Sequence, residues 1–270
     1  MSVTNLAKRR GEILDEIMAH HRENLPKVMA DVPFADLRAM AGVSPPPRDF
    51  EAAVRASGVS LIAECKKASP SKGLIVPHYD PVQLARAYEK GGARAISVLT
   101  DTRHFQGTLA HLRDVREAVR VPVLRKDFLF HPYQLYEARV AGADAVLLIA
   151  AVLSDTEMRE LLALARKLGM AALVEIHDEA ELARVLPLQP TLIGVNNRNL
   201  QTFEVDFGNT ARLRALIPPE IAVVGESGLK SPDDVRAMKT AGVDAVLVGE
   251  TLVRSKDVAG TARAFVAAGR

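Results

Sequence analysis

An octet returns three times along this chain. Gly91-Gly92-Ala93-Arg94-Ala95-Ile96-Ser97-Val98 resembles Ala141-Gly142-Ala143-Asp144-Ala145-Val146-Leu147-Leu148, and both resemble Ala241-Gly242-Val243-Asp244-Ala245-Val246-Leu247-Val248. The middle glycines stand at 92, 142 and 242, so the second interval is twice the first. Each copy reads as a helix end, a glycine cap and then a buried strand. If the shorter interval holds two strand–helix units, one unit takes about 25 residues and eight take about 200. The stretch from Glu64 to the C-terminus has about that length. Such a chain is confined to parallel strands joined by right-handed helical crossovers.

Eight short apolar runs fit that count: Ser60–Ala63, Ala95–Leu99, Val121–Leu124, Ala145–Ile149, Ala171–Val174, Leu192–Val195, Ile221–Val224 and Ala245–Val248. Continuous β-branched runs are what parallel strands covered on both faces require. Helix starts stand between them. Asp80-Pro81, His131-Pro132 and Ser231-Pro232 put Pro at the first helical position. Ser154 to Glu157 reads as a capping box, and Asp178 with Glu181 has the same spacing. Eight units in series predict an α/β fold closed into a (β/α)8 barrel, the TIM barrel, rather than an open doubly wound sheet.

Residues 1–48 are expected as an N-terminal helical extension packed on the barrel, and residues 49–270 as the barrel domain. Leu6, Ile13, Leu14, Ile17 and Met18 share one helical face, and Phe34, Leu37 and Met40 form a second stripe. Ser44-Pro45-Pro46-Pro47 ends that segment, and Asp49 is placed to cap a short helix through Val54. The extension either closes the bottom or side of the barrel or leans over its catalytic mouth.

Composition excludes several classes. Lys and Arg number 35 against 33 acids, a net charge of +2, and no basic run with interleaved aromatics suggests a nucleic-acid groove. No stretch approaches a membrane span. Met1 to Gly11 is polar, with Lys8, Arg9 and Arg10, and does not read as a secretory signal. Cys65 is the only cysteine, so no internal disulfide forms and a cytoplasmic location is expected. Its thiol is either a nucleophile or, the blander reading, a small group packed beside a strand. The histidines show no metal spacing: His20-His21 reads as the surface of the extension helix, and His177 as a loop residue within reach of the mouth. No Gly-x-Gly-x-x-Gly follows a strand, so neither a dinucleotide nor a metal cofactor is expected.

In a barrel of this type the reacting groups sit where strands end. Strand 1 releases Glu64 and Lys66, two residues apart and therefore on one side. Strand 3 ends Arg125-Lys126-Asp127-Phe128, strand 5 Val174-Glu175-Ile176, strand 6 Val195-Asn196-Asn197, and strand 7 Gly225-Glu226-Ser227-Gly228. Two lysines and three glutamates so converge at one end. Any one alone reads equally well as a solvated loop charge. Together, acids and bases in one partly buried site shift each other's pKa and suit general acid–base work. Small residues at 225–228 and at Val248-Gly249-Glu250-Thr251 let backbone N–H groups approach an anion, with Ser69 closing the cradle from loop 1. The alternative is that these glycines serve tight turns only.

These segments resemble the indole-3-glycerol-phosphate synthase family of tryptophan biosynthesis. The resemblance runs over nearly the whole chain and includes Ile62-Ala63-Glu64-Cys65-Lys66-Lys67-Ala68-Ser69-Pro70-Ser71-Lys72-Gly73, Leu124-Arg125-Lys126-Asp127-Phe128, Leu173-Val174-Glu175-Ile176-His177, Ile193-Gly194-Val195-Asn196-Asn197-Arg198-Asn199-Leu200 and Val224-Gly225-Glu226-Ser227-Gly228. It implies a carboxy-lyase that closes an indole ring, turning 1-(2-carboxyphenylamino)-1-deoxyribulose 5-phosphate into indole-3-glycerol phosphate, CO2 and water without a cofactor. It implies Lys126 as general acid, Glu175 as acid or base in the dehydration, and Lys66 as holder of the substrate carboxylate or sharer of the acid role. Glu64 and Asn196 would position hydroxyls and lysines. Ser69, Gly228, Gly249 and Glu250 would line the phosphate site, with Glu226 and Ser227 shaping that end. A small phosphorylated substrate is the expected partner, with other tryptophan-pathway enzymes as further company. Three other readings stay open: a Schiff-base aldolase using Lys126 or Lys66, phosphoribosylanthranilate isomerase, and a non-catalytic phosphosugar-binding barrel.

Overall fold

The computed structural model describes residues 3–199 and 204–270, with side chains from residue 13 onward; the side chain of Leu6, and Leu200 as a whole, fall outside what is described. Eight strands make the barrel: β1 (Ser60–Cys65), β2 (Ala95–Leu99), β3 (Val123–Lys126), β4 (Ala145–Ile149), β5 (Ala171–Ile176), β6 (Leu192–Asn196), β7 (Ala222–Glu226) and β8 (Ala245–Val248). Each pairs in parallel with the next, and β8 closes on β1 with Ser60 opposite Ala245. Helices α1 (Val3–Asp31), α2 (Phe34–Val43) and α3 (Phe50–Val54) come first. Strands β1 to β7 are each followed by one α-helix: α4 (Pro81–Lys90), α5 (Leu109–Ala118), α6 (Pro132–Val140), α7 (Asp155–Lys167), α8 (Glu179–Val185), α9 (Gly208–Arg214) and α10 (Pro232–Thr240). After β8 come a short α11 (Glu250–Val253) and α12 (Val258–Gly269).

The expected local signals operate. Gly92, Gly142 and Gly242 all take positive φ just past helix ends, which only glycine adopts at no steric cost. Asp80, Ser154, Asp178 and Ser231 each accept a backbone N–H at the N-cap. Asp49 caps α3 by accepting from the Ala52 N–H at 2.8 Å. Several strands run past their expected ends, because the pattern breaks at the first charge while the backbone ladder continues; Glu64, Lys126, Glu175 and Glu226 all lie within strands. The third strand starts later than expected, at Val123 rather than Val121, just after Pro122, which has no N–H to donate.

Two apolar layers hold the barrel. Every second strand residue points inward: Ile62, Ala95, Leu124, Ala145, Leu147, Leu173, Leu192, Ala222, Val224 and Leu247 pack together, joined from below by Phe50 and Val54 of α3. The alternate residues, such as Val98, Val146, Val174 and Val223, pack outward against the helices. The helices before β1 cover both ends of the barrel. Helix α3, just past the Pro run, plugs the N-terminal end, where Arg55 donates to the carbonyls of Thr191 and Glu220. Helix α1 lies across the other end. In α2 Leu37 is buried as expected, but Met40 is exposed and Phe34 half-buried; Ala41 takes the inner position and Phe34 rests edge-on against Tyr136.

Candidate active site

The inward parity of each strand continues past the apolar layer and carries charges to the C-terminal mouth. Glu64 follows Ile62, Lys126 follows Leu124, Glu175 follows Leu173, Asn196 follows Gly194, and Glu226 follows Val224. These side chains line one cavity of about 530 Å³, a volume suited to a small-molecule ligand. Lys66, Ser69, Ser227, Gly228, Gly249 and Glu250 line it too, so all eleven residues singled out in the sequence share one wall system. The two lysines and three glutamates come from four strands, β1, β3, β5 and β7, or the residue just past β1.

Lys126 Nζ is 3.0 Å from Glu175 Oε2 and 3.4 Å from Glu226 Oε2. Burial opposes its charge, but Glu175, Glu226 and Glu64 outweigh that and hold the amine as an ammonium, well above the ordinary lysine range. Lys66 Nζ sits 2.7 Å from Glu64 Oε1. Asn196 Nδ2 donates to Glu175 Oε1 at 3.0 Å, and its Oδ1 accepts from the Arg198 N–H. For Glu175, burial raises the pKa, yet the Lys126 charge and then His177 and Asn196 pull it well below the carboxylate range. Glu226 goes the other way. Burial raises it, Lys126 answers only in part, and the Glu175 and Glu64 charges raise it further. Glu226 Oε1 is buried without a hydrogen-bond partner. One ammonium thus stands between a carboxylate and a group inclined to keep its proton, an acid–base division of labour made by environment.

Two glycines leave room for these carboxylates. A Cβ on Gly194 would collide with Glu226 Oε1, and one on Gly249 with Glu64 Oε1. Ser227 and Gly228 both take positive φ and turn the chain at the end of β7. Cys65 faces away from the mouth. It lies in the outer apolar layer, its Sγ is 3.7 Å from the Pro81 carbonyl, and burial, with Glu64 adding to it, pushes the thiol far up. The packing reading therefore holds, and a cysteine nucleophile is excluded.

Ile13, Leu14 and Ile17 of α1 cover the mouth, so of the two placements expected for the extension this helix takes the one over the mouth. Sequence reasoning missed other parts of the wall, Leu99, Phe105 and Phe128 among them. Lys72, Arg198, Lys230 and Arg254 add cations to the rim; Lys230 and Arg254 follow the small-residue turns closely enough to have been flagged. His21 corrects an expectation. It is not surface but turned inward, its Nε2 2.8 Å from Asp101 Oδ2 and 3.8 Å from Asp127 Oδ1. These three are a grouping that could hold a cation. Arg125, 3.0 Å from Asp127 Oδ2, and the imidazole itself already supply positive charge there.

The fold and this mouth define a (β/α)8 barrel with an acid–base site at the C-terminal ends of its strands. Two solved structures share the fold at 15% identity and TM-score 0.60: a thiamine phosphate pyrophosphorylase from Pyrococcus furiosus, covering 78% of this chain and 95% of that one, and an N-acetylmannosamine-6-phosphate 2-epimerase from Clostridium perfringens, covering 77% and 93%. The family model of indole-3-glycerol phosphate synthase matches residues 14–265. Relatives bearing that name include one from Roseiflexus castenholzii, 49% identical over 93% of this chain and 97% of its own, and one from Rhodopirellula baltica, 48% identical over 94% and 99%. The chain belongs to the indole-3-glycerol phosphate synthase family.

Proposed function

We propose that the chain closes the indole ring of 1-(2-carboxyphenylamino)-1-deoxyribulose 5-phosphate, releasing CO2 and water to leave indole-3-glycerol phosphate. The observation that carries this is Lys126 on the cavity wall, held as an ammonium between Glu175 and Glu226. A weak aryl carbon attacking a carbonyl needs a proton donor at the carbonyl oxygen, and a positioned acid contributes roughly 10²- to 10⁴-fold. In this reading Lys126 gives that proton as the ring carbon attacks. Loss of the carboxylate as CO2 restores the aromatic ring. Glu175 then serves in the dehydration. Lys66, anchored by Glu64, holds the substrate carboxylate or shares the acid role, and Asn196 positions Glu175.

The phosphate sits at the other side of the pocket in this proposal, against Ser69, Ser227, Gly228, Gly249 and the backbone N–H of Glu250. The apolar patch from Ile13, Leu14, Ile17, Phe105 and Phe128 receives the aryl ring. Residues 1–48 belong to the site in this reading through α1. A cytoplasmic setting beside other tryptophan-pathway enzymes completes the proposal, and the single, buried Cys65 fits it. The aldolase alternative requires a free amine. The Glu175 carboxylate, with the other acids of the mouth beside it, favours the Lys126 ammonium and so a proton donor over a nucleophile.

The test is to incubate the purified protein with the carboxyphenylamino-deoxyribulose phosphate, without metal or cofactor, and follow indole absorbance and fluorescence. A growing signal is expected. A folded protein that binds inorganic phosphate but gives no signal would turn the reading toward a binding barrel. Borohydride trapping of a lysine adduct would turn it toward an aldolase.

A further inference from the structure

His177 stands immediately behind the reacting groups without lining the cavity. It follows Glu175 by two residues, one step past the end of β5, and its side chain is 10% exposed. Nδ1 is hydrogen-bonded at 3.1 Å to Oε2 of Glu181 on α8, and Nε2, buried and without a hydrogen-bond partner, is turned toward Glu175 Oε1 at 3.4 Å, an ion-pair contact. That Glu181 oxygen also accepts the His177 backbone N–H at 2.8 Å. The backbone is pinned from α9 as well: Asn209 Nδ2 donates to the carbonyls of His177 at 3.0 Å and Asn196 at 3.2 Å. One side-chain amide so ties the ends of β5 and β6 together.

We propose that His177 is a positioning residue for Glu175: gripped by Glu181 on one ring nitrogen, it steadies the Glu175 carboxylate with the other, in register with Lys126 and Asn196. The inference rests on the role proposed for Glu175. The carboxylate has two oxygens and needs two fixed directions. Lys126 takes Oε2, Asn196 donates to Oε1, and the His177 ring stands behind Oε1 as an ion-pair partner. Lys126 alone is an unreliable anchor, because Glu226 also draws its ammonium. A second cation behind Glu175 removes that dependence and lets Lys126 move toward substrate without releasing Glu175.

Electrostatics agree with the geometry. Burial lowers the imidazole pKa, but the neighbouring Glu175 and Glu181 carboxylates outweigh it and bring it to about 10. Glu175 on its own strand, Glu181 on α8 and, beyond Glu175, Lys126 on β3 are the charged groups that bear on it.

The experiment compares His177→Gln, His177→Ala and Glu181→Gln with the native protein in turnover of the carboxyphenylamino-deoxyribulose phosphate across pH. With the cation gone, Glu175 is easier to protonate. The acid limb of kcat should move to higher pH in both His177 variants, and kcat should fall about tenfold, with little change in KM. Gln keeps a donor and should recover part of what Ala loses. Glu181→Gln should move the same limb by a smaller amount. Folded His177 variants with an unshifted acid limb and native kcat would overturn the inference, as would a rise in KM alone. Glu175→Gln run alongside tells which reading has failed. Full turnover there removes the role of Glu175 and the inference with it, whereas lost turnover there with an unaffected His177→Gln overturns the inference alone.

Discussion

At the scale of single residues, the mouth is a problem in placing protons. Lys126 and Glu226 face each other at 3.4 Å, and their surroundings push both toward holding a proton. Lys126→Ala should therefore lose turnover by 10²-fold or more while substrate affinity changes little, since the lost interaction belongs to the transition state. Steady-state kinetics decide it, and an unchanged kcat would remove Lys126 from the acid role. Glu226 makes a statement about stability as well. Its pKa in the folded protein is raised, so its contribution is fully present below the ordinary carboxylate range and is lost as pH rises past the folded value. Glu226→Gln carries a permanently neutral amide there. Its stability should fall less than that of the native protein between about pH 5 and 9, as read by urea unfolding at a series of pH values. Parallel losses would mean that Glu226 is ionised throughout.

At the scale of elements, the questions concern what covers the mouth. Helix α1 is fastened by His21 to Asp101 and Asp127, residues at the ends of β2 and β3, and its C-terminal turn by Tyr133, whose hydroxyl donates to the carbonyls of Val28 and Val32. His21 is also in ring contact with Phe128, which lines the cavity. Burial lowers the His21 pKa, but the bond to Asp101 and the charge of Asp127 raise it overall. Asp101 moves opposite ways too: burial raises it, and bonds from His21 and the His104 and Phe105 N–H groups bring it down to about 2. The clasp is accordingly complete below the ordinary imidazole range and weakens as pH rises past the folded value for His21; on the acid side it fails only as pH falls toward 2. His21→Ala should raise KM and quicken amide exchange in α1 while the barrel strands keep their protection. Uniform exchange across native and variant proteins would show that α1 is held by its apolar face alone. The segment from Lys67 to Tyr79 makes the second cover. Ala68–Ser69 and Gly73–Leu74 pair as a small antiparallel hairpin whose tip residues Pro70, Ser71 and Lys72 line the cavity. We expect this hairpin to close on ligand, with slower amide exchange when indole-3-glycerol phosphate is bound. Equal exchange with and without that product would rule the closure out.

For the whole molecule, the barrel was legible because its signals are local and repeated. Positive-φ glycines, N-caps and apolar strands recur with a fixed beat, and inward parity alone carries Glu64, Lys126, Glu175 and Glu226 to one end. What escaped depends on approaches between distant segments. His21 meets Asp101 across 80 residues, Gly194 is required by a Glu226 oxygen, and His177 is fixed by a helix that follows it. No periodicity announces such meetings. Strand ends were read short for a related reason: charges inside a strand normally contradict burial, and here the fold reserves one end of the barrel for them. The same polarity separates stability from chemistry. Phe50 is buried at the closed end, in the layer with Ile62, Leu124, Leu173 and Val224, a full strand length from the charges at the mouth. Phe50→Ala should cost about 3–5 kcal/mol through the cavity it opens. Its kcat and KM at a temperature where the variant stays folded should remain within about threefold of the native values. Chemical unfolding and kinetics on the same preparation give both numbers. A large stability loss with near-native kinetics follows if the N-terminal plug holds the barrel shut and nothing more. A comparable fall in kcat would mean instead that strain travels up the strands, and that the closed end of the barrel sets the spacing of the lysines and glutamates at the open one.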